Sequence, residues 1–320
     1  MSVAAVLAMG EGIVRILSVM LNQYPIDVSN SHAGWANKPN LRNKTLIFGG
    51  SEFTISTDRD GHRITYPIDQ PPPAKAPVML VVGDSFAQGI GVNDNHTFAW
   101  MLARRSEYHV VNLGVVGYGT DQELASLEEF LAKKPDSKVS HIVVLVFDND
   151  FTDVQRSYDP YLGRSKPRFR TVKRALDQTR YKPTFADNLM DLSRLFWLVN
   201  SKSALMLANP NPSAEDGVDV VLACLRAMQR LAESQGAQIH IFAYHRLTGP
   251  PFSISRWKSF LDQSNAIDIT PRLIASHRPD LVGSDDVHWS IAGNELVADA
   301  LLDFLNEEQV ATTTNPRTEY

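Results

Sequence analysis

From residue 77 onward, short apolar runs alternate with stretches of helical period. Val78–Val82, His109–Leu113, His141–Phe147 and Gln238–Tyr244 read as strands, and Ala266–Ile269 as a short fifth. Within the third, Ile142 to Val146 shows no polar alternation, as a strand buried on both faces requires. Helical spacing of apolar positions predicts helices over Thr97–Arg105, Asp121–Lys133, Phe185–Leu207, Val218–Gln235, Ile254–Leu261 and Ile291–Leu305. Strands that alternate with helices pair in parallel, with helices covering both faces. The expected fold class is therefore α/β, a three-layer α/β/α sandwich around a parallel sheet of about five strands.

Before residue 77 the pattern changes. Residues 24–76 are polar and punctuated by Gly and Pro, with β-like pieces at Thr45–Phe48 and Phe53–Ser56 and a turn signal at Asp60-Gly61. Pro71-Pro72-Pro73 is a stiff spacer that marks a boundary. Val3 to Leu21 is apolar but carries Glu11 and Arg15 in i,i+4 spacing. Two mid-segment charges count against a spanning helix, and no small-residue cleavage site follows, so a cleavable signal peptide is not expected. The expectation is an amphipathic helix lying on the domain or on a membrane surface; localisation stays open between cytoplasmic and membrane-associated. Four segments result: helix 1–23, a β-rich extension 24–76, a main domain 77–305 and a polar, disordered tail 306–320.

Composition removes several classes. With 320 residues, 43% hydrophobic and 21% charged, the chain can bury one large core. A net charge of −5 argues against nucleic acid as the partner. The single cysteine, Cys224, falls in an apolar helical pattern and offers neither a disulfide framework nor a Cys-based metal site. No strand is followed by a glycine-rich phosphate loop, and neither a metal nor a cofactor is expected.

Candidate chemistry begins at Gly83-Asp84-Ser85, which ends the first main-domain strand. Parallel sheets place their chemistry at that carboxyl edge. Near the other end of the domain, Asp285 precedes His288 by three residues in a loop. A carboxylate at that spacing can orient one ring nitrogen and leave the other to take a proton from a serine. Asp286 also neighbours His288 and is the competing partner. Glycines in Asn112–Gly119 follow the second strand, and Asn149 follows the third; both could donate to a developing oxyanion.

Gly83-Asp84-Ser85-Phe86, the glycine of Asn112–Gly117, Asn149-Asp150 and Asp285-x-x-His288 resemble, in order, the four blocks of the SGNH (GDSL) hydrolases over about Pro77 to Leu305. The resemblance implies a flavodoxin-like sheet. It also implies Ser85 as nucleophile, His288 as base, Asp285 as orienting acid, and Ser85 N–H, Gly117 N–H and the Asn149 amide as oxyanion donors. Phe147 stands where the family's third block has glycine, which narrows the pocket. Gly34-Trp35, Lys38-Pro39-Asn40 and Asp60-Gly61-His62-Arg63 are similar to extensions of bacterial members that act on envelope or exopolysaccharide acyl groups, many of them membrane-anchored.

The expected function is a serine esterase or deacylase acting on a short acyl ester, small-molecule or polysaccharide, through an acyl-enzyme on Ser85. O-acyl transfer by the same residues, and a silent polysaccharide-binding scaffold, are the alternatives. Peripheral membrane association through the first helix is a further expectation. An α/β-hydrolase elbow would need glycine where Ala87 stands. Eight basic residues, Arg164, Lys166, Arg168, Arg170, Lys173, Arg174, Arg180 and Lys182, crowd the segment after the third strand. They are expected to form a solvated charged loop, with anion binding as the alternative.

Overall fold

The computed structural model describes residues 2–20, 26–156 apart from 71 and 74, 217–251 and 253–314. Between 157 and 216 it describes 158–159, 162, 164–166, 169–172, 175–178, 185–193 and 195–199. Helix α1 spans Val3–Met20, and two antiparallel hairpins follow: β1 Asp27–Asn30 with β2 Gly34–Asn37, and β3 Lys44–Phe48 with β4 Ser51–Ile55. The second hairpin turns at Gly49 and Gly50, both with positive φ. At Asp60-Gly61 the chain makes the expected tight turn, closed by a bridge between Thr57 and Arg63.

The main domain alternates as the pattern predicts. In order it runs β5 Val78–Val82, α2 Ser85–Gln88, α3 Phe98–Arg105, β6 His109–Asn112, α4 Thr120–Lys133, β7 Val139–Phe147 and α5 Asp150–Asp153. Two small antiparallel pairs follow: β8 Tyr158–Asp159 with β9 Arg164–Ser165, and β10 Phe169–Val172 with β11 Ala175–Gln178. Then come α6 Phe185–Leu192, α7 Gly217–Gln235, β12 Gln238–Tyr244, α8 Ile254–Ser264, β13 Ile267–Asp268, α9 Thr270–Ala275 and α10 Ile291–Thr314. A further helical stretch occupies 195–199; the rest of the helix expected to run to Leu207 lies outside the described residues. The last helix carries on past Leu305, so the start of the tail expected to be disordered from Asn306 is helical backbone instead.

The five long-range strands form one sheet in the order β13-β12-β7-β5-β6, every neighbouring pair parallel. Numbered along the chain, that is the flavodoxin-like order 2-1-3-4-5, whose direction reverses between β5 and β7. Side chains alternate between two cores because strand residues point to opposite faces. Leu80, Val82, Ile142, Val144 and Val146 pack with α4 and α7; Met79, Val81, Val143, Leu145 and Phe147 pack with α3 and α10. The fold is the α/β/α sandwich.

The segment before residue 77 is welded to the sheet's β6 edge. Arg63 bridges to Asn112, Thr65 Oγ1 donates 2.6 Å to the Val110 carbonyl, and Tyr66 Oη donates 2.8 Å to Tyr108. An uncovered edge strand would leave these carbonyls as a template for other chains. Arg63 is itself buried, its guanidinium held by Asp94 Oδ1 at 2.9 Å and by the carbonyls of Thr54, Gln88, Gly89 and Val92.

Candidate active site

Strand β5 ends at Gly83, whose missing side chain matters. A Cβ there would lie 2.7 Å from Ala87 Cβ and 3.2 Å from the Leu145 carbonyl, so only glycine lets the chain turn this tightly. Asp84 then caps α2, accepting the Phe86 N–H at 2.9 Å. Ser85 is the first residue of α2 and stands at the β5–β7 switch point, where open α/β sheets bind their ligands.

His288 Nε2 lies 2.8 Å from Ser85 Oγ, across 203 residues of chain. Its other nitrogen, Nδ1, lies 2.5 Å from Asp285 Oδ2. Asp285 Oδ1 accepts the N–H groups of Val287 at 3.1 Å and His288 at 3.0 Å, so the carboxylate is aimed by its own turn. That turn is closed by the Gly283 N–H to the His288 carbonyl at 2.7 Å and by a bridge between Val282 and Trp289. Buried Trp289 anchors it from beneath, its ring 4.9 Å from Phe86 and 4.8 Å from Tyr244. Asp286 is exposed, with φ of 58°, and makes no hydrogen bond to His288.

The expected oxyanion donors fare differently. Gly117 has φ of 77°, and a Cβ there would meet Asp159 Oδ2 at 2.8 Å. The preceding residue is pinned at both its backbone groups: the Val116 N–H donates to Gln88 Oε1 at 2.9 Å, and the Trp35 indole N–H donates to the Val116 carbonyl at 3.0 Å. Neither the Gly117 N–H nor the Ser85 N–H has an acceptor among the described residues. The Asn149 amide is turned instead toward a carboxylate, Nδ2 donating 2.9 Å to Asp153 Oδ2. Of the three expected donors, Asn149 is the one already engaged.

Spacing gave no signal for Gln88 and Trp35, which fix the Gly117 loop, because their partners lie far along the chain. A set of buried acids beneath the same edge was also missed. Burial pushes the Asp84 carboxyl up to about 6, against the Phe86 N–H, the His288 charge and the Asn149 amide. Burial, then the charges of Asp150, Asp84 and Asp121, holds Glu123 well above the usual carboxylate value. Asp150 is raised well above it by burial and by Asp84 and Asp153, and burial takes Asp153 to about 7. Asp285 goes the other way. Burial opposes it, but the hydrogen bond and charge of His288 and the two N–H groups keep its carboxyl below the usual value.

The basic segment is corrected in part. Arg164 and Lys166 are buried, not solvated: Arg164 pairs with Asp27 and Asp191 at 2.7 Å, and Lys166 Nζ lies 2.8 Å from Asp121. Two cations that cancel buried carboxylates cannot also collect an anion. Of the other six, Arg170 lies on strand β10 and the remaining five lie outside the described residues. Asp58, Asp60 and His62 bring ligand-type atoms within 4.8 Å of one another, but Lys134 Nζ sits 2.8 Å from Asp60 and already supplies the cation.

A parallel 2-1-3-4-5 sheet with a serine, a histidine and an aspartate in hydrogen-bonded series at its switch point is the arrangement of a serine hydrolase. Residues 79–301 match the family model described as GDSL-like Lipase/Acylhydrolase, and the chain belongs to that family, a serine hydrolase of ester bonds. The fold is similar to a protein assigned to the lipolytic G-D-S-L family from Desulfitobacterium hafniense DCB-2, at 14% identity over 69% of this chain and 97% of that one, with a TM-score of 0.39. A G-D-S-L family member from Veillonella parvula DSM 2008 gives 14% identity over 71% and 97%, with a TM-score of 0.37. AlinE4, an SGNH-hydrolase family esterase, gives 16% over 74% and 98%, with a TM-score of 0.33. No curated protein sequence matches.

Proposed function

We propose that the protein cleaves a short acyl ester, O-acetyl or similar, through an acyl-enzyme on Ser85. The observation that carries this reading is the continuous series Ser85 Oγ, His288 Nε2, His288 Nδ1, Asp285 Oδ2, with contacts of 2.8 and 2.5 Å. Ser85 Oγ attacks the carbonyl carbon while its proton passes to Nε2. Asp285 holds Nδ1–H and stabilises the imidazolium. The oxyanion is received by the Ser85 and Gly117 N–H groups, each such donor lowering the barrier by about 3–4 kcal/mol. Collapse expels the alcohol, which takes the proton from His288; water then attacks the acyl carbon with His288 as base.

A short acyl group suits the floor of the site. Phe147, which stands where the family's third block has glycine, is buried with its ring 4.4 Å from Phe86 and 5.4 Å from Tyr244, and we read this bulk as limiting the acyl chain. The alcohol is read as a carbohydrate hydroxyl, on the likeness of the Gly34-Trp35 and Asp60–Arg63 extension to envelope-acting members. If a sugar hydroxyl outcompetes water, the same residues transfer the acyl group. A silent scaffold would show no turnover at all. Hydrolysis of p-nitrophenyl acetate and butyrate by wild type and Ser85→Ala separates the enzyme from the scaffold: turnover that vanishes in the variant is expected, and equal rates in the two proteins would defeat the nucleophile.

For α1 we infer peripheral contact with a lipid surface. Val3, Val6, Leu7, Met9, Ile13, Ile16 and Leu17 are exposed on it, while Glu11 and Arg15 hold its other side to Ser193, Leu195 and Leu192. No helix among the described residues is long and apolar enough to cross a membrane.

A further inference from the structure

The β3–β4 hairpin lies outside the span that matches the family, yet its tip rests on the Asp285–His288 turn. At Gly49, with φ of 54°, a Cβ would come 2.2 Å from Asp285 Cβ, so the tip approaches the turn as closely as glycine permits. Ser284 Oγ donates 2.6 Å to the Gly49 carbonyl and lies 2.8 Å from Ser51 Oγ. Beside this clamp, the Phe48 ring meets the His288 ring edge to face, centroids 5.3 Å apart and planes at 81°. Phe48 nevertheless remains 42% exposed, and its neighbour Ile47 53%. An aromatic ring that touches the base and stays open to solvent covers no core; its free face is available to whatever binds there.

The chemistry says which part of an ester that is. The acyl carbon becomes bonded to Ser85 Oγ, whereas the alkoxide oxygen must take its proton from His288 Nε2. The alcohol portion therefore leaves on the histidine side. We propose that Phe48, carried in by the N-terminal extension, is a specificity-determining residue that offers an apolar face to the alcohol portion of the substrate. An alcohol with a flat apolar surface, an aryl ring or the C–H face of a pyranose, complements that face; a small alkyl alcohol does not. The proposal rests on the esterase reading above.

The test compares kcat/KM for wild type and Phe48→Ala on two ester series. The first keeps acetyl and varies the alcohol: ethyl acetate, phenyl acetate and an acetylated methyl glucoside. The second keeps phenol and varies the acyl chain from acetyl to hexanoyl. Ratios of variant to wild type cancel the intrinsic reactivity of each ester. Phe48→Ala is expected to lower kcat/KM for the two ring-bearing alcohols about tenfold more than for ethyl acetate, chiefly through KM, with acyl-chain preference kept. Phe48→Trp is expected to restore the ring preference. A uniform fall across both series, carried by kcat and accompanied by a shifted pH profile, would make the ring a mere prop for His288 and overturn the proposal. So would equal ratios with no fall, or a loss confined to the acyl series. Phe48→Leu, which keeps an apolar side chain but no flat ring, repeats the comparison should the alanine variant not fold. If wild type shows no Ser85-dependent turnover of any ester, the esterase reading falls and this proposal with it. Ser85-dependent turnover without the ring preference defeats this proposal alone.

Discussion

Asp285 Oδ2 sits 2.5 Å from His288 Nδ1, whereas Asp286, one residue on, is exposed on left-handed backbone. Two adjacent carboxylates thus have different surroundings, and only one can hold the imidazole tautomer. Asp285→Ala is expected to lower kcat by roughly 10⁴, the scale of losing an orienting acid. Asp286→Ala should stay within about twofold, and Asp286→Gly should be tolerated at its positive φ. Steady-state kinetics on p-nitrophenyl acetate decide it; a larger loss at Asp286 than at Asp285 would reverse the assignment.

Asp84 provides a pH-dependent stability test. Its folded value of about 6 lies above the ordinary 3.8, so the folded chain binds this proton more tightly than the unfolded chain does. The associated stability is complete below 3.8 and is lost as pH rises through about 6, to the extent of roughly 3 kcal/mol. Asp84→Asn keeps an acceptor for the Phe86 N–H and removes the ionisation. The Tm of the variant minus that of wild type should therefore become more positive between pH 4 and pH 7. His240, which burial lowers to about 4, works in the opposite direction, losing stability as pH falls from 6.5 through about 4, and is common to both proteins. A Tm difference that does not change with pH would mean Asp84 does not titrate in this window.

Arg63 links the extension to the loop after α2 by one side chain with five partners. Arg63→Ala leaves Asp94 and four carbonyls without that donor, and removing one member of a buried pair costs about 3–5 kcal/mol. Arg63→Lys retains the charge without the planar fork and should fall between. Urea unfolding measures both, and a loss under about 1 kcal/mol for the alanine variant would show that the guanidinium is dispensable.

The apolar face of α1 makes a prediction about lipid. Flotation with vesicles should carry the full chain upward and leave behind a chain with Leu7→Glu and Ile13→Glu, two exposed positions. Equal flotation of both would remove α1 as the contact.

Much of the fold was legible along the chain. Parallel strands buried on both faces are continuous apolar runs, helices keep their own period, and both signals are local; hence five strands and their order of appearance could be read directly. The Asp285 and His288 pair was legible for the same reason, since a three-residue spacing fits within one turn. Ser85 could be placed at a strand end by Gly83.

The tertiary structure decided what depends on partners remote in sequence. It put Arg164 against Asp27 and Lys166 against Asp121, turning two members of a basic run into buried counter-charges. It turned the Asn149 amide to Asp153, and it gathered Asp84, Glu123 and Asp150 under one edge. It also laid Phe48 against His288, 240 residues away by the difference of their numbers. The hydrophobic pattern of a strand specifies which face is buried but not which distant side chain will lie across it. The sequence by itself determined the layers and the Ser85, His288 and Asp285 candidates; the packing of an extension on a sheet edge determined what surrounds them, because burial and charge pairing are properties of neighbours in space.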